Sequence, residues 1–252
     1  NDIRLSPGSP LLGKSRGRVA FDEKGFVLQN VTASLLGGKA ELKGGSLAAD
    51  KNENARDVRV EVQGDFTAEG LRQESAAGAM AQLGRFLNGR STYRAVLEAT
   101  PGSFELTIDS DLDGMASNLP VPLGKNASGK LPFHYSNRVV KNTKSRNATD
   151  VAAEDELQVR IGQVVFAQYV RDVRNAEPPR VLRGRIGVGA QAVKEPPPMP
   201  GSGVRALVKM ERVDADAWSR ALDSGWGRTL KPSAKQGANG NDASALATAA
   251  MG

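Results

Sequence analysis

The residues whose types and spacing come nearest to chemistry are Asp109, Asp111, Asp113 and Gly114. Acids at positions one, three and five with glycine at six open a calcium loop, because alternate carboxylates converge on one hard cation and the glycine permits the sharp turn. The pattern then stops. The twelfth position, where a bidentate glutamate is needed, is Pro120, and the residues before Asp109 read as a strand rather than a helix. Gly187, Gly189 and Ala192 have the spacing of a dinucleotide-binding turn. That turn must open a helix to receive the pyrophosphate, and Glu195-Pro196-Pro197-Pro198 arrives too soon for one. His134 is the only histidine, has no partner ligand, and falls on the polar side of its strand. With no cysteine, thiol catalysis, disulfides and thiolate-bound zinc are excluded. No Gly-x-Ser-x-Gly elbow is present. The sequons at Asn30, Asn126 and Asn147 matter only in a eukaryotic secretory setting. No catalytic, metal or cofactor constellation survives, so the chain reads as non-enzymatic with no cofactor.

What remains is the supply of strands that would have to position such residues. Phe104, Leu106 and Ile108 alternate with Glu105, Thr107 and Asp109, the period of a half-buried β-strand. Val58, Val60 and Val62 alternate in the same way, as do Leu131, Phe133 and Tyr135. Further strands are predicted over 18–22, 26–36, 39–43, 93–97, 157–161, 164–171, 181–188 and 204–210. The Gly37-Gly38 pair predicts a two-residue hairpin turn. Between residues 67 and 88 the period changes to helical, with Gly78 and Gly84 weakening the helix. A second short helix opens near Asp214–Trp218, with Trp218 and Leu222 on one face. Pro120 and Pro122 take the chain after Gly114 out of the sheet into a fixed, extended Leu-Pro-Val-Pro-Leu-Gly-Lys segment.

The predicted fold is mainly β: an antiparallel meander forming a long, curved, groove-like sheet with two short helices. Residues 1–17 read as a linker, 18–226 as the β-groove segment with a helical insert at about 67–88, and 227–252 as a disordered tail of Ala, Gly, Ser and Asn. Residues 137–156, rich in Lys, Arg, Asn, Thr and Asp, form a long exposed connection or a hairpin with a loose tip. The 252 residues suffice for a sizeable core, and the 28 glycines with 5% aromatic residues suit short strands and tight turns. The net charge of +6, from 34 basic and 28 acidic residues, is spread along the chain, which argues for a solvated surface and against nucleic acid as a partner. No apolar run is long enough to span a membrane, and Asn1–Gly13 lacks the pattern of a signal peptide. The abrupt start reads as an internal piece of something longer.

Three stretches resemble one family. Leu87-Asn-Gly89-Arg-Ser-Thr-Tyr93-Arg-Ala, then Phe104 through Gly114, then Asn118-Leu-Pro-Val-Pro-Leu-Gly-Lys125 resemble, in order, the YhdP family of AsmA-like envelope proteins. The Gly37-Gly38 hairpin, the Leu182-Arg-Gly184 strand and Val213-Asp-Ala-Asp-Ala-Trp218 fit the same pattern. The resemblance implies a piece of the periplasmic part of a Gram-negative inner-membrane protein, whose anchoring helix lies outside this chain. It implies phospholipid as partner, moved between inner and outer membrane along an apolar β-groove, with neighbouring β segments of the same long chain continuing the sheet. The candidate groove residues are Val58, Val60, Val62, Phe104, Leu106, Ile108, Leu131, Phe133, Val159, Ile161, Val164, Phe166, Leu182, Ile186 and Val188. The alternative is a structural or protein-interaction β-domain with a closed core, which the same alternation would equally produce.

Overall fold

The computed structural model describes residue 2 and residues 10–23, 25–48, 56–74, 79–100, 103–140, 154–174 and 179–225. Over these the chain is one large sheet. Its strands are β1 (Gly13–Asp22), β2 (Gly25–Leu35), β3 (Gly38–Ala48), β4 (Arg56–Thr67), β5 (Leu87–Thr100), β6 (Ser103–Ser110), β7 (Met115–Ser117), β8 (Phe133–Val140), β9 (Glu154–Ile161), β10 (Val165–Asp172), β11 (Arg180–Val188) and β12 (Gly203–Val208). Four short helices join them: α1 (Ala68–Gln73), α2 (Ala79–Leu83), α3 (Ala190–Lys194) and α4 (Ala215–Gly225), with a 3-10 turn at Gly84–Phe86. Sequence order is spatial order from β1 to β12, except that β7 leaves the path to pair with β5. The sheet is mainly antiparallel and does not close on itself. It thus has the predicted class, with more elements than sequence periodicity resolved.

Several boundaries differ from expectation for identifiable reasons. Residues 13–17, predicted as linker, already belong to β1, which kinks at two register shifts before Arg18. The pairing of β11 with β12 is parallel. After Val188 the chain forms the single turn of α3, and the prolines from Pro196 carry it back to Gly203. A helix therefore does follow Gly187 and Gly189, but it is only five residues long. The predicted helical insert is α1, α2 and the 3-10 turn. The described ends of 137–156 are strand, paired from Asn137↔Leu157 to Val140↔Glu154, which makes this connection a hairpin. Its tip, and the predicted tail from 227, lie outside the described residues.

The β2–β3 turn centres on Leu36 and Gly37, with φ of 51° and 77°, rather than on Gly37-Gly38. Gly38 instead begins β3, where a Cβ would sit 2.0 Å from the Asp65 carbonyl oxygen. Helix α1 starts on this turn. Thr67 caps it, accepting from the Gly70 N–H at 2.9 Å, and the Thr67 N–H donates to the Leu36 carbonyl at 3.0 Å.

The Leu-Pro-Val-Pro-Leu-Gly-Lys segment is not extended. It doubles back, so that the Ser117 and Lys125 backbones exchange hydrogen bonds of 2.8 and 3.1 Å. A tight turn closes it at Pro120–Leu123, with the Val121–Pro122 peptide cis. Lys125 holds the loop from within: its ammonium donates to the carbonyls of Leu112 at 2.9 Å, Asn126 at 3.0 Å and Met115. Loss of water around the charge lowers the Lys125 pKa, against the attraction of Asp113. The Trp218 indole of α4 donates to the Val121 carbonyl at 3.0 Å and docks that helix on the loop.

The main core lies at one end of the strands. Phe66, Ala68, Tyr93, Ala95 and Met115 pack there, with Leu35, Leu87, Ile108 and Leu112 around them. Phe66 and Tyr93 meet edge to face at 6.1 Å. The α1–α2 segment and β7 close this end. At the opposite strand ends β8 meets β9, and the arm from α3 returns to start β12.

Candidate functional site

Strand register assigns each side chain to a face, because neighbours in a ladder point the same way and residues alternate along each strand. One transverse row runs Leu42–Val62–Ala95–Ile108–Tyr135–Val159–Ala167–Ile186–Ala206. The next runs Val60–Leu97–Leu106–Asn137–Leu157–Tyr169–Gly184–Val204. A continuous apolar face thus crosses the sheet from β3 to β12. Toward the helical end it is covered by the core. Over Val60, Leu97, Leu106, Leu157 and Val159 it is half-buried, shielded mainly by its own neighbours.

The sheet is not flat near β3. Ala33, Ala40 and Leu42 form a second cluster with Val31 and Val62. Some Cα atoms of β2 and β4 come within 8 Å across the intervening β3, closer than the ~9.6 Å of two flat strand steps. Small residues Ala40, Gly44 and Ser46 stand on the apolar side of β3.

Of the predicted groove residues, Val58, Val60, Val62, Phe104, Leu106, Ile108, Phe133, Val159, Ile161, Ile186 and Val188 share this face. Four do not join the ladder with them. Phe166 points to the opposite face, opposite Arg160 and Gly187. It is 3% exposed there, with the Arg160 and Arg185 guanidinium carbons 5.1 and 5.4 Å from its ring centre. Val164 lies in the β9–β10 turn, its N–H donating to the Ile161 carbonyl at 3.1 Å. Leu131 precedes β8 and donates to the Asp111 carbonyl at 2.9 Å. Leu182 sits at the register shift between Val181 and Arg183. Residues 164–170 are apolar at both odd and even positions, so alternation alone could not phase β10.

The opposite face is ionic. Glu41, Gln63, Arg94, Asp109 and His134 form one of its rows. His134 Nδ1 lies 2.7 Å from Asp109 Oδ1, and Lys130 lies 3.9 Å from Asp111. Two acids of the calcium-like pattern are thereby engaged by side chains of this chain. Glu61 accepts from Arg59 and Arg94, which hold its carboxyl below the usual range. A shallow depression of about 700 Å³ opens on this side, lined by these charged residues and by Lys39 and Asp65. Helix α3 packs here too, since a Cβ on Gly187 would lie 2.3 Å from the Ala192 carbonyl oxygen.

Sequence reasoning missed one feature of the apolar face. Asp155 and Arg171 stand directly opposite each other on it. They form a fork, with Nε–Oδ1 at 2.9 Å and Nη2–Oδ2 at 2.5 Å. Their side chains are 4% and 18% exposed. Burial pulls the Arg171 pKa down, and hydrogen bonding and attraction from Asp155 more than offset it. Both residues sit in polar stretches, and only the β9–β10 register places them on the apolar face.

A family model described as YhdP protein matches residues 1–249. The chain belongs to the YhdP family. Comparison with curated proteins and with solved structures returns no match. Among the described residues of this YhdP-family chain, no helix is long and apolar enough to cross a membrane. The loop ending in Lys125, one of the stretches that carried the resemblance, is bridged to β7 through Ser117.

Proposed function

We propose that this chain is a non-enzymatic segment of a periplasmic lipid-transport protein, whose apolar sheet face carries phospholipid acyl chains between the inner and outer membranes. The observation that carries the reading is the mostly half-buried apolar row from Val60 to Val204, outside the core clusters, while α3 and the proline arm meet the other face. Acyl chains need no catalytic group: each methylene taken out of water gains ~0.8 kcal/mol. The sheet path has ten strand-to-strand steps from β1 to β12, or about 48 Å of arc at ~4.8 Å each. Many similar shallow sites along that arc let a chain slide without being trapped. Membership of an envelope-protein family supports the same reading.

Neighbouring β segments of a longer chain are the natural partners at both edges. Phe21 on β1 is 77% exposed, and Val204 and Val208 on β12 are 51% and 56% exposed. Edge strands with bare apolar residues and unpaired backbone groups call for a strand beside them.

The test uses the period of two. Leu106→Asp puts a charge on the apolar face, and Thr107→Asp puts the same charge one residue away on the ionic face. Mass spectrometry of the natively purified chain should find phospholipid with the wild type and Thr107→Asp, and at least about tenfold less with Leu106→Asp. Absence of phospholipid from the wild type, or equal amounts in both variants, would sink the proposal in favour of a structural or protein-binding sheet.

A further inference from the structure

Between β3 and β12, among residues with described side chains, Asp155 and Arg171 are the charged groups on the apolar face. Their place is specific. The row Val139–Asp155–Arg171–Val181 lies at the strand ends away from the helical core, one residue inside the ends of β8 and β10. Next to the pair, one row inward, stands Asn137, whose Oδ1 is buried and has no hydrogen-bond partner. Tyr135 lies close enough to feel both charges and bonds to the Asn137 side chain. The rest of the neighbouring rows, at Leu106, Leu157 and Val159, is apolar.

A buried ion pair is a poor way to stabilise a sheet. Desolvation of both charges consumes most of their attraction, and an apolar pair of similar volume often does as well or better. Its chemistry suits something else. The Arg171 fork fits a phosphate as readily as a carboxylate. Asp155, once released by its partner, and Asn137 Oδ1 are both acceptors, and together they suit a primary ammonium. Resting on the acyl-chain reading above, we infer that Asp155, Arg171 and Asn137 form a headgroup station on the trough rim, selective for a zwitterionic phosphate–ammonium headgroup of the phosphoethanolamine type. The lipid then lies along the strands, its tails on the apolar rows and its headgroup at the hairpin end.

The arrangement discriminates by charge. An anionic headgroup such as phosphoglycerol can take Arg171 but leaves Asp155 buried and unpaired, a costly state. Phosphocholine carries a cation without N–H donors, so Asn137 Oδ1 stays unsatisfied. Both should bind less well than phosphoethanolamine.

The experiment offers the purified chain an equimolar vesicle mixture of dioleoyl phosphatidylethanolamine, phosphatidylglycerol and phosphatidylcholine, re-isolates the protein, and counts bound lipid by mass spectrometry. The wild type should enrich phosphatidylethanolamine about tenfold over phosphatidylglycerol, which corresponds to ~1.4 kcal/mol. The double variant Asp155→Leu with Arg171→Met should keep the total lipid and lose the enrichment. Arg171→Lys keeps the charge but not the fork, and should also reduce the enrichment; it serves if the double variant does not fold. Lipid bound without headgroup preference by the wild type, or a preference unchanged in these variants, overturns the headgroup station and leaves the acyl trough standing. No lipid on the wild type overturns both.

Discussion

Among the described residues Met115 is the largest fully buried side chain, at 1% exposure, and it packs in one cluster with Phe66, Ala68, Tyr93 and Ala95. It belongs to a three-residue strand beside β5, which gives no strong signal in sequence. Replacing it by alanine removes that contact and leaves a cavity under Phe66 and Tyr93. Met115→Ala should lower the free energy of unfolding by about 2–5 kcal/mol in a urea titration. A loss below about 1 kcal/mol would mean that the loop carrying it is not part of the cooperative core. Asp109, Asp111 and Asp113 stand at the other extreme. They looked most chemical in the sequence, yet Asp109 is taken by His134 and Asp111 by Lys130.

At the scale of elements, the decisive contact is the interlock of the β2–β3 turn with α1. A Cβ on Gly70 would lie 2.1 Å from the carbonyl carbon and oxygen of Leu36, and one on Gly37 would lie 2.3 Å from Thr67 Oγ1. Backbone cannot yield there as the far end of a side chain would. Gly70→Ala should therefore destabilise the chain by about 1–3 kcal/mol through overpacking, although alanine is the better helix former by nearly 1 kcal/mol. Thermal unfolding decides the sign: a variant that melts at or above the wild-type temperature would show that α1 is not clamped on the turn. The strand β10 carries a different lesson. Its residues are apolar on both sides because its outer face has a cover of its own: Phe166 and Val170 lie buried there, and α3 packs against the strand. Phe166 therefore lies on the opposite face from the other groove candidates, and Val164 lies in the turn before the strand.

At the scale of the molecule, burial of the phenols sets an alkaline limit. Desolvation raises the pKa of Tyr93 to about 12, and it raises those of Tyr135 and Tyr169 from 10.0 as well. These are the chain's three tyrosines. A phenol whose pKa is raised by folding holds its proton more tightly in the folded state. Its stabilisation is complete below pH 10 and disappears as pH rises toward about 12. Urea midpoints should fall across that window, and tyrosinate absorbance should titrate later in the folded chain than in urea. Coincident titrations in the two states would contradict the burial of these side chains on the apolar face.

The sequence by itself determined the class of the fold and the existence of an amphipathic sheet. Strict alternation at 58–62 and 104–109 needs no tertiary knowledge, since a strand's period of two fixes which side chains share a face. It also determined the family, through motifs such as Leu119–Lys125 whose order survives in the chain. Only the tertiary structure decided how strands with two apolar sides are phased, that β12 runs parallel, and that the proline segment folds back on itself around Lys125. It alone brought Asp155 to Arg171, sixteen positions apart and each within a polar run. Register between strands is a property of pairing, and no local pattern in either strand records the partner it will face.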